Sequence, residues 1–313
     1  MSNSNGVQLL RVQQPQQGQR LDNFLMRRLK GVPRSRVYWL IRRGEVRVNK
    51  KRCKPERKLE IGDEVRIPPF TGATIQKPGK PTPGLQQLLL DAILYEDEHL
   101  LVINKPAGLS VHGGSGVRLG LIEALRQIGS EWSGLELAHR LDRETSGCLV
   151  IAKNALFLNT IQSDLKEKLV EKTYHALVHG RWPEELTEVN APLQKNELSA
   201  GERIVRVTRD GKPSCTRYQV LRRFKTATLI EAKPATGRTH QIRVHCQYAG
   251  HPIIGDDKYG VKSSDQELNK VKSLCLHASS IRFRAQHLPQ PLEVSAAPDK
   301  MLESILNNLE KLN

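Results

Sequence analysis

The sequence lacks several features that would assign it to common protein classes. No apolar run reaches the roughly eighteen residues needed for a transmembrane helix, so we expect no segment that spans a membrane. The first nineteen residues are polar and Gln-rich, which predicts no secretory signal. The five cysteines are scattered and form no Cys-x-x-Cys pair, a pattern typical of free thiols and unlike a disulfide framework or a zinc site. We therefore expect a cytoplasmic protein without a metal site.

Acidic residues are also scarce. The 313-residue chain has 33 Asp and Glu against 49 Lys and Arg, which gives a formal net charge of +16. An excess of this size predicts a polyanionic partner such as RNA, DNA or an anionic membrane surface. At this length the chain can hold one large domain and one small domain.

The positive charge is concentrated near the N-terminus. Residues 18–67 contain sixteen Lys and Arg but only six Asp and Glu, a net charge of +10. Two short helices are predicted there, over about 23–30 with Asp22 as N-cap and from about Ser35 to Gly44, followed by strands over 45–49 and 64–67. This pattern resembles the small RNA-binding domain first known from ribosomal protein S4. The alternative is a solvated basic surface. The candidate phosphate-binding residues are Arg34, Arg36, Arg43, Lys50, Lys51 and Arg52.

The rest of the chain divides by composition. Residues 1–17 are predicted to be a disordered tail, 18–69 the small domain, 70–87 a linker rich in Pro, Gly and Lys, and 88–313 the large domain. Within the large domain, strands are predicted over 100–104, 148–153, 173–179, 215–224, 227–233 and 276–283, and helices over 119–128, 156–168, 239–248 and 300–309. Strands often follow one another without a helix between them, which favours an α+β fold with a mixed sheet.

The most informative segment is His-Arg-Leu-Asp-Arg-Glu-Thr-Ser-Gly at residues 139–147. It sets Asp142 between two arginines beside a glycine expected to form a turn, and an apolar run that predicts a buried strand follows. Nearby guanidinium groups favour an ionised carboxylate and are suited to gripping phosphates. A basic or nucleophilic Asp142 in an anion-binding loop indicates chemistry on a nucleic acid. The alternative is an aspartate that caps a turn or pairs with a neighbouring arginine.

Three motifs together resemble one enzyme family. Residues 139–147, Lys-Thr-Tyr-His-Ala at 172–176 and Gly-Arg-Thr-His-Gln-Ile-Arg at 237–243 resemble, in order, motifs of the RNA pseudouridine synthases that modify the large ribosomal subunit. The resemblance extends over about residues 90–290. It implies a long, bent, mainly antiparallel mixed sheet with the active site in its central cleft. The implied reaction isomerises specific uridines of large-subunit (23S) ribosomal RNA to pseudouridine, which requires no redox cofactor or ATP.

The resemblance also implies roles for individual residues. Asp142 is the expected catalytic group, and whether it attacks C6, attacks C1′ or removes a sugar proton stays open. Arg243 is expected to form an ion pair with Asp142, and Tyr174 to stack on the flipped uracil. Arg140 is expected to fill the gap left by that base, although a salt bridge to Glu144 is an alternative.

Two further substrate-binding positions follow from the later motifs. Arg238 lies in residues 237–240, where a helix is predicted to begin and to offer an anion site to the RNA backbone. Leu276 matches a late element of the family that lines the uracil pocket, and an ordinary core position is the alternative.

Two other functions remain as alternatives to a synthase acting on ribosomal RNA. A synthase for transfer RNA would carry the same three motifs. A non-catalytic RNA-binding factor in ribosome assembly would keep the fold, although retention of Asp142, Tyr174 and Arg243 argues against it. A nuclease is disfavoured because no carboxylate cluster suited to Mg²⁺ is evident. We expect a monomer whose partner is large-subunit ribosomal RNA or an assembly intermediate that contains it, and we expect no membrane partner.

Overall fold

The computed structural model describes residues 6–29, 32, 34–69, 79–113, 117, 119–197, 203–262 and 265–311. The chain forms two compact units, residues 1–77 and 78–313. None of the described helices is long and apolar enough to cross a membrane.

The small unit packs two helices against a three-stranded antiparallel sheet of order β1-β3-β2. Its elements are β1 (Gln8–Arg11), α1 (Leu21–Arg28), α2 (Arg34–Arg43), β2 (Arg47–Val48) and β3 (Glu64–Ile67). The prediction that residues 1–17 form a disordered tail is wrong for the described residues 6–17, because β1 pairs with β3 along four residues. Val12 is buried in the core of this unit, and Leu10 packs against that core. Two apolar side chains thus anchor a segment whose polar composition suggested disorder.

Asp22 does not cap α1 as predicted. Arg20 occupies the N-cap position, and Asp22 lies inside the first turn with its carboxylate buried. That carboxylate accepts hydrogen bonds from the Arg20 guanidinium and the Tyr38 hydroxyl, at 2.6 and 3.1 Å. Asp22 therefore ties the two helices together.

The large unit is built on a mixed sheet. Its described elements are α3 (Pro83–Asp91), β4 (Ile93–Glu96), β5 (Leu100–Lys105), α4 (Leu121–Ile128), β6 (Glu136–Leu137), β7 (Ser146–Ala152), α5 (Ala155–Glu167), β8 (Glu171–His179), β9 (Glu188–Asn190), β10 (Leu193–Glu197), β11 (Arg203–Val207), β12 (Cys215–Arg223), β13 (Ala227–Pro234), α6 (Gln241–Tyr248), α7 (Gln266–Lys270), β14 (Leu276–Phe283), β15 (Leu292–Ser295) and α8 (Lys300–Lys311). Ten of these strands form the sheet, in the order β4-β5-β7-β14-β8-β13-β12-β9, with β15 beside β14 and β6 beside β7, while β10 and β11 form a separate hairpin.

The predicted fold class is confirmed. Among the described strands of the large sheet, every pairing is antiparallel except that of β7 with β14, so the sheet is mixed and mainly antiparallel. All seven residues of β7 are buried, because apolar side chains cover both faces of the sheet there. This two-sided burial explains the continuous apolar run after residue 147.

The first half of the predicted linker over 70–87 lies outside the described residues, which resume at residue 79. The linker prediction is wrong for residues 83–87, because these residues form the first half of α3. The Thr82 hydroxyl caps the helix by accepting a hydrogen bond from the Leu85 amide at 3.2 Å, and Pro83 occupies the first turn. A Thr-Pro pair that suggested an extended linker is therefore a helix start.

Gly147 lies in β7 and not in the expected turn. Its φ is +107°, and a Cβ at this position would overlap the carbonyl oxygen of Ala278, the residue paired with it on β14. Glycine is required here because it permits both the positive φ and the close approach of the two strands.

We expect Gly147→Ala to lower the free energy of unfolding by about 3 kcal/mol, because the substitution adds backbone strain to a steric clash. Urea denaturation followed by circular dichroism measures this change. Gly134→Ala is the matched control, since a Cβ there would meet nothing within 4 Å. Equal stability of the two variants would contradict the packing described for β7 and β14.

Candidate active site

A cleft of about 400 Å³ opens near the middle of the large sheet. It is bounded by the loop before β7, by β8, by the first residue of β14 and by the segment that leads into α6. The structure brings together in this cleft all six site residues predicted in the large unit: Arg140, Asp142, Tyr174, Arg238, Arg243 and Leu276.

The chain around Asp142 is fixed by backbone contacts. The Arg143 carbonyl accepts hydrogen bonds from the Gly108 amide and from the Lys105 ammonium, each at 2.9 Å. Lys105 is fully buried and also donates to the carbonyls of Pro106 and Leu109. Burial lowers the pKa of Lys105 to about 8. Sequence reasoning missed Lys105, although a lysine that ends a buried strand and precedes proline was a usable signal.

His139 anchors the other end of the same loop. The Val150 amide on β7 donates a hydrogen bond to its Nε2 at 3.1 Å. Burial, reinforced by the positive charge of Lys172, lowers the pKa of His139 to about 4. His139 is therefore a neutral structural residue at physiological pH, and it holds the loop against the sheet.

Neither arginine next to Asp142 forms an ion pair with it. The guanidinium of Arg143 binds the Gly108 carbonyl at 2.9 Å and Glu144 at 3.4 Å, so Glu144 pairs with Arg143 and not with Arg140. Arg140 is exposed and lines the cleft. Across the described part of the chain, the only basic side chain within 4.0 Å of the Asp142 carboxylate is His240, whose Nε2 lies 3.8 Å from Oδ2.

The expected ion pair between Arg243 and Asp142 is wrong. The buried guanidinium of Arg243 binds both carboxylate oxygens of Asp256, at 2.6 and 2.8 Å, and one oxygen of Asp257 at 3.1 Å. Two-point pairing with a fully buried carboxylate satisfies the planar guanidinium better than a partly exposed partner does. Asp142 acts on Arg243 only at longer range, as one of several charges that raise its pKa.

Tyr174 belongs both to the cleft and to the hydrophobic core. Its ring lines the cleft, and it also packs against two clusters of the hydrophobic core. Burial, and to a smaller extent the charge of Asp142, raises the pKa of Tyr174 above its ordinary value of 10. Its hydroxyl is therefore protonated at neutral pH and can donate a hydrogen bond.

Gln241 organises the loop that leads into α6. Its buried side-chain oxygen accepts hydrogen bonds from the Thr236 hydroxyl and the Arg238 amide, at 2.6 and 3.1 Å. Its amide nitrogen donates to the Cys215 carbonyl at 2.9 Å. The loop therefore has a defined shape, and Arg238 lies exposed on it at the rim of the cleft. Sequence reasoning assigned no role to Gln241.

Leu276 lies on the wall of the cleft and is buried, and its contact with a uracil stays a prediction. The next residue, His277, is fully buried. Its ring nitrogens lie 2.9 Å from the Ser146 hydroxyl and 3.0 Å from the Ala296 carbonyl. Because a carbonyl only accepts, Nε2 carries the proton and Nδ1 accepts from Ser146. This contact joins β14 to the start of β7, directly after the Asp142 loop.

The small unit presents a basic face of its own. Arg36, Arg43, Lys50, Lys51 and Arg52 are all exposed, and the side chain of Arg34 lies outside the described structure. The guanidinium carbons of Arg36 and Arg43 lie 3.8 and 4.6 Å from the ring centre of Trp39. Cation–π contacts of this kind hold two charged groups on one helix face without neutralising them.

Comparison with known proteins identifies the class that this architecture represents. A family model described as RNA pseudouridylate synthase matches residues 99–248, and one described as the S4 domain matches residues 19–65. Human RNA pseudouridylate synthase domain containing 4 has the same fold, with a TM-score of 0.61 and 28% identity over 72% of this chain and 96% of that chain. The small unit is thus an S4 domain joined to an RNA-modifying enzyme.

The chain belongs to the RNA pseudouridylate synthase family, and the family prediction is confirmed. Two curated relatives are named ribosomal large subunit pseudouridine synthase C, from Salmonella typhi and from Escherichia coli strain K12. Each is 50% identical over 309 residues, with 97% of both chains covered.

We expect Asp256→Asn to lower the free energy of unfolding by about 3–5 kcal/mol at pH 7, because Arg243 loses its buried counter-charge. Asp257→Asn is the matched control. Its carboxylate is 69% exposed and makes one contact with the same guanidinium, so we expect a change below about 1 kcal/mol.

The pH dependence of stability provides a second test of this pair. Burial alone would raise the pKa of Asp256, but hydrogen bonds from Arg243 and from backbone amides lower it below its ordinary value. Its stabilising contribution is therefore complete above the unfolded pKa of about 3.9 and is lost as the pH falls through the folded pKa. Urea denaturation should show that the difference in free energy of unfolding between wild type and Asp256→Asn becomes smaller below about pH 4. A difference that does not change with pH would contradict the ion pair between Asp256 and Arg243.

Proposed function

We propose that this enzyme isomerises specific uridines of large-subunit (23S) ribosomal RNA to pseudouridine, with Asp142 acting on a nucleotide flipped out of its stack. The observation that carries the proposal is the convergence of Asp142, Tyr174 and Arg140 on one cleft. The substrate class is supported by relatives named for the large ribosomal subunit that match 97% of the chain.

The reaction requires a group that acts next to the glycosidic bond. The N1–C1′ bond breaks, the uracil turns, C5 bonds to C1′, and the C5 proton is released while N1 gains one. Asp142 is partly exposed to the cleft, so its carboxylate can reach a substrate there. Addition to C6, attack on C1′ and removal of a sugar proton are all compatible with this position.

Three neighbouring side chains suit the recognition of an extruded uridine. Tyr174 offers a ring to stack on, and Leu276 offers an apolar wall in the same cleft. Arg140 is exposed at the cleft, so its guanidinium is free to enter the gap left in the RNA stack. Such stacking offsets part of an unstacking cost of a few kcal/mol. Arg238 at the rim contributes a contact to the RNA backbone.

The S4 domain adds affinity through its basic face. Exposed Lys and Arg on α2 and on the segment that follows β2 suit contacts to phosphates, which position RNA without reading its sequence. We propose that the partner is ribosomal RNA or an assembling subunit, that the enzyme works as a monomer, and that it acts in the cytoplasm. The free thiols of all five cysteines are consistent with a reducing compartment.

We expect wild-type protein to release tritium from large-subunit ribosomal RNA labelled at uridine C5, and Asp142→Asn to release none above background. The amide cannot act as a base or nucleophile in place of the carboxylate. Glu144→Gln, two residues away, is the control for loss of a charge on the same loop and should keep activity. Both variants should bind RNA as wild type does in filter-binding assays.

The outcome discriminates between the candidate functions. Release from transfer RNA alone would assign the synthase to transfer RNA. RNA binding without release from either substrate would support the non-catalytic binding factor. Equal release by Asp142→Asn and wild type would remove Asp142 from the mechanism.

Neutralising Arg36, Arg43, Lys50 and Lys51 together should weaken RNA binding and reduce the slope of log K against log salt by roughly 0.7–0.9 for each phosphate that is no longer neutralised. The rate constant at saturating RNA should not change, because these residues lie in the S4 domain. Neutralising the exposed Lys262, Lys272, Lys300 and Lys311 of the large unit provides the charge-matched control. An unchanged salt slope in the S4 variant would contradict the proposed role of the basic face.

A further inference from the structure

His240 joins the candidate catalytic carboxylate to a buried tyrosine. Its Nε2 faces Oδ2 of Asp142 at 3.8 Å, and its Nδ1 lies 2.7 Å from the hydroxyl oxygen of Tyr259. Tyr259 does not line the cleft and is 3% exposed, so it forms a layer beneath the site. The sequence motifs gave no role to Tyr259 and placed His240 only among residues facing the RNA backbone.

The hydrogen bonds of Tyr259 determine which nitrogen of His240 carries the proton. The Val205 amide donates to the Tyr259 oxygen at 3.0 Å, so that oxygen already acts as an acceptor. Within the described structure, Nδ1 of His240 is the only acceptor that the hydroxyl proton of Tyr259 meets. A buried hydroxyl rarely leaves its proton without a partner. Tyr259 therefore donates to Nδ1, and the ring proton of His240 lies on Nε2, directed at Asp142.

Tyr259 is itself held from two sides. Oδ1 of Asp256 accepts a hydrogen bond from the Tyr259 amide at 2.9 Å. The guanidinium carbon of Arg243 lies 5.1 Å from the centre of the Tyr259 ring. The ion pair between Arg243 and Asp256 thus orients Tyr259, and Tyr259 orients the imidazole. Arg243 can influence Asp142 through this route without touching it.

The backbone of His240 adopts a strained conformation. Its φ and ψ are +54° and +21°, in the left-handed region, at the residue that precedes α6. Such conformations are unfavourable for residues other than glycine and concentrate at functional sites. Burial lowers the pKa of His240, while the charge of Asp142 opposes this shift and Arg243 and Lys258 add to it. The neutral ring is the form that the Tyr259 contact requires.

We propose that His240 is a positioning residue for the reaction: held by Tyr259 with its proton on Nε2, it donates to Asp142 Oδ2 when RNA binds and fixes the direction of that carboxylate. The inference rests on the proposed role of Asp142. Hydrogen bonds at active sites are often long before the substrate binds and shorten in the complex, which fits the 3.8 Å separation.

The first test is the protonation of His240 in the free protein, measured by ¹⁵N NMR on histidine-labelled samples. We expect an unprotonated Nδ1 and a protonated Nε2, and a shift of the Nε2–H signal in Asp142→Asn. In Tyr259→Phe the preference for this tautomer should weaken, whereas Tyr248→Phe on an exposed position of α6 should leave it unchanged. A proton on Nδ1 in the wild type, or no response to Asp142→Asn, would overturn the proposal.

The second test separates positioning from backbone support. His240→Gln keeps an N–H donor near the place of Nε2, whereas His240→Asn adopts the left-handed backbone more easily but is too short to reach Asp142. We expect the single-turnover rate of His240→Asn to fall about a hundredfold and that of His240→Gln to fall less than about tenfold, both with unchanged RNA affinity.

A purely structural role predicts the opposite order, with His240→Asn the more active variant, and that result would overturn the proposal. Equal, wild-type rates in both variants would do the same. These outcomes are distinct from failure of the proposed function. An inactive wild type would contradict the isomerase assignment, whereas an active wild type with a proton on Nδ1 of His240 would contradict only the positioning role.

Discussion

The buried ion pair between Arg243 and Asp256 is the interaction on which the candidate active site depends. A carboxylate and a guanidinium can share a dry interior only if their polar atoms are satisfied, and Asp256 also accepts hydrogen bonds from the amides of Lys258 and Tyr259. The pair therefore fastens α6 to the loop that carries Tyr259. Tyr259 in turn contacts His240, and the His240 ring faces Asp142. The arginine of the third motif thus supports the cleft from beneath and does not contact the Asp142 carboxylate directly.

The cleft is assembled from segments far apart in the chain, and the central strands make this possible. The parallel pairing between β7 and β14 brings the end of the Asp142 loop next to Leu276. Gly147 permits the close approach of the two strands, and the contact between Ser146 and His277 fixes their register. Backbone packing thus sets the position of the Asp142 loop.

Sequence reasoning succeeded where one local pattern decided the outcome. Continuous apolar strands such as β5 and β14 were located within one residue, and the three motifs named the correct family. Sequence reasoning failed where a contact in the folded chain outweighed local composition. The buried side chain of Val12 orders the polar N-terminal segment. The Thr82 hydroxyl caps a helix that begins in a Pro-rich stretch. The partner of Arg243 was also beyond reach, because nothing in residues 237–243 indicates that a buried aspartate thirteen positions later binds its guanidinium more closely.

The most direct test of the central claim is a map of pseudouridines in large-subunit ribosomal RNA from cells lacking this protein. Chemical tagging followed by reverse transcription locates each modified position. We predict that defined uridines remain unmodified in the deletion strain, and that wild-type protein restores them whereas Asp142→Asn does not. An unchanged map after deletion, or full restoration by Asp142→Asn, would contradict the account.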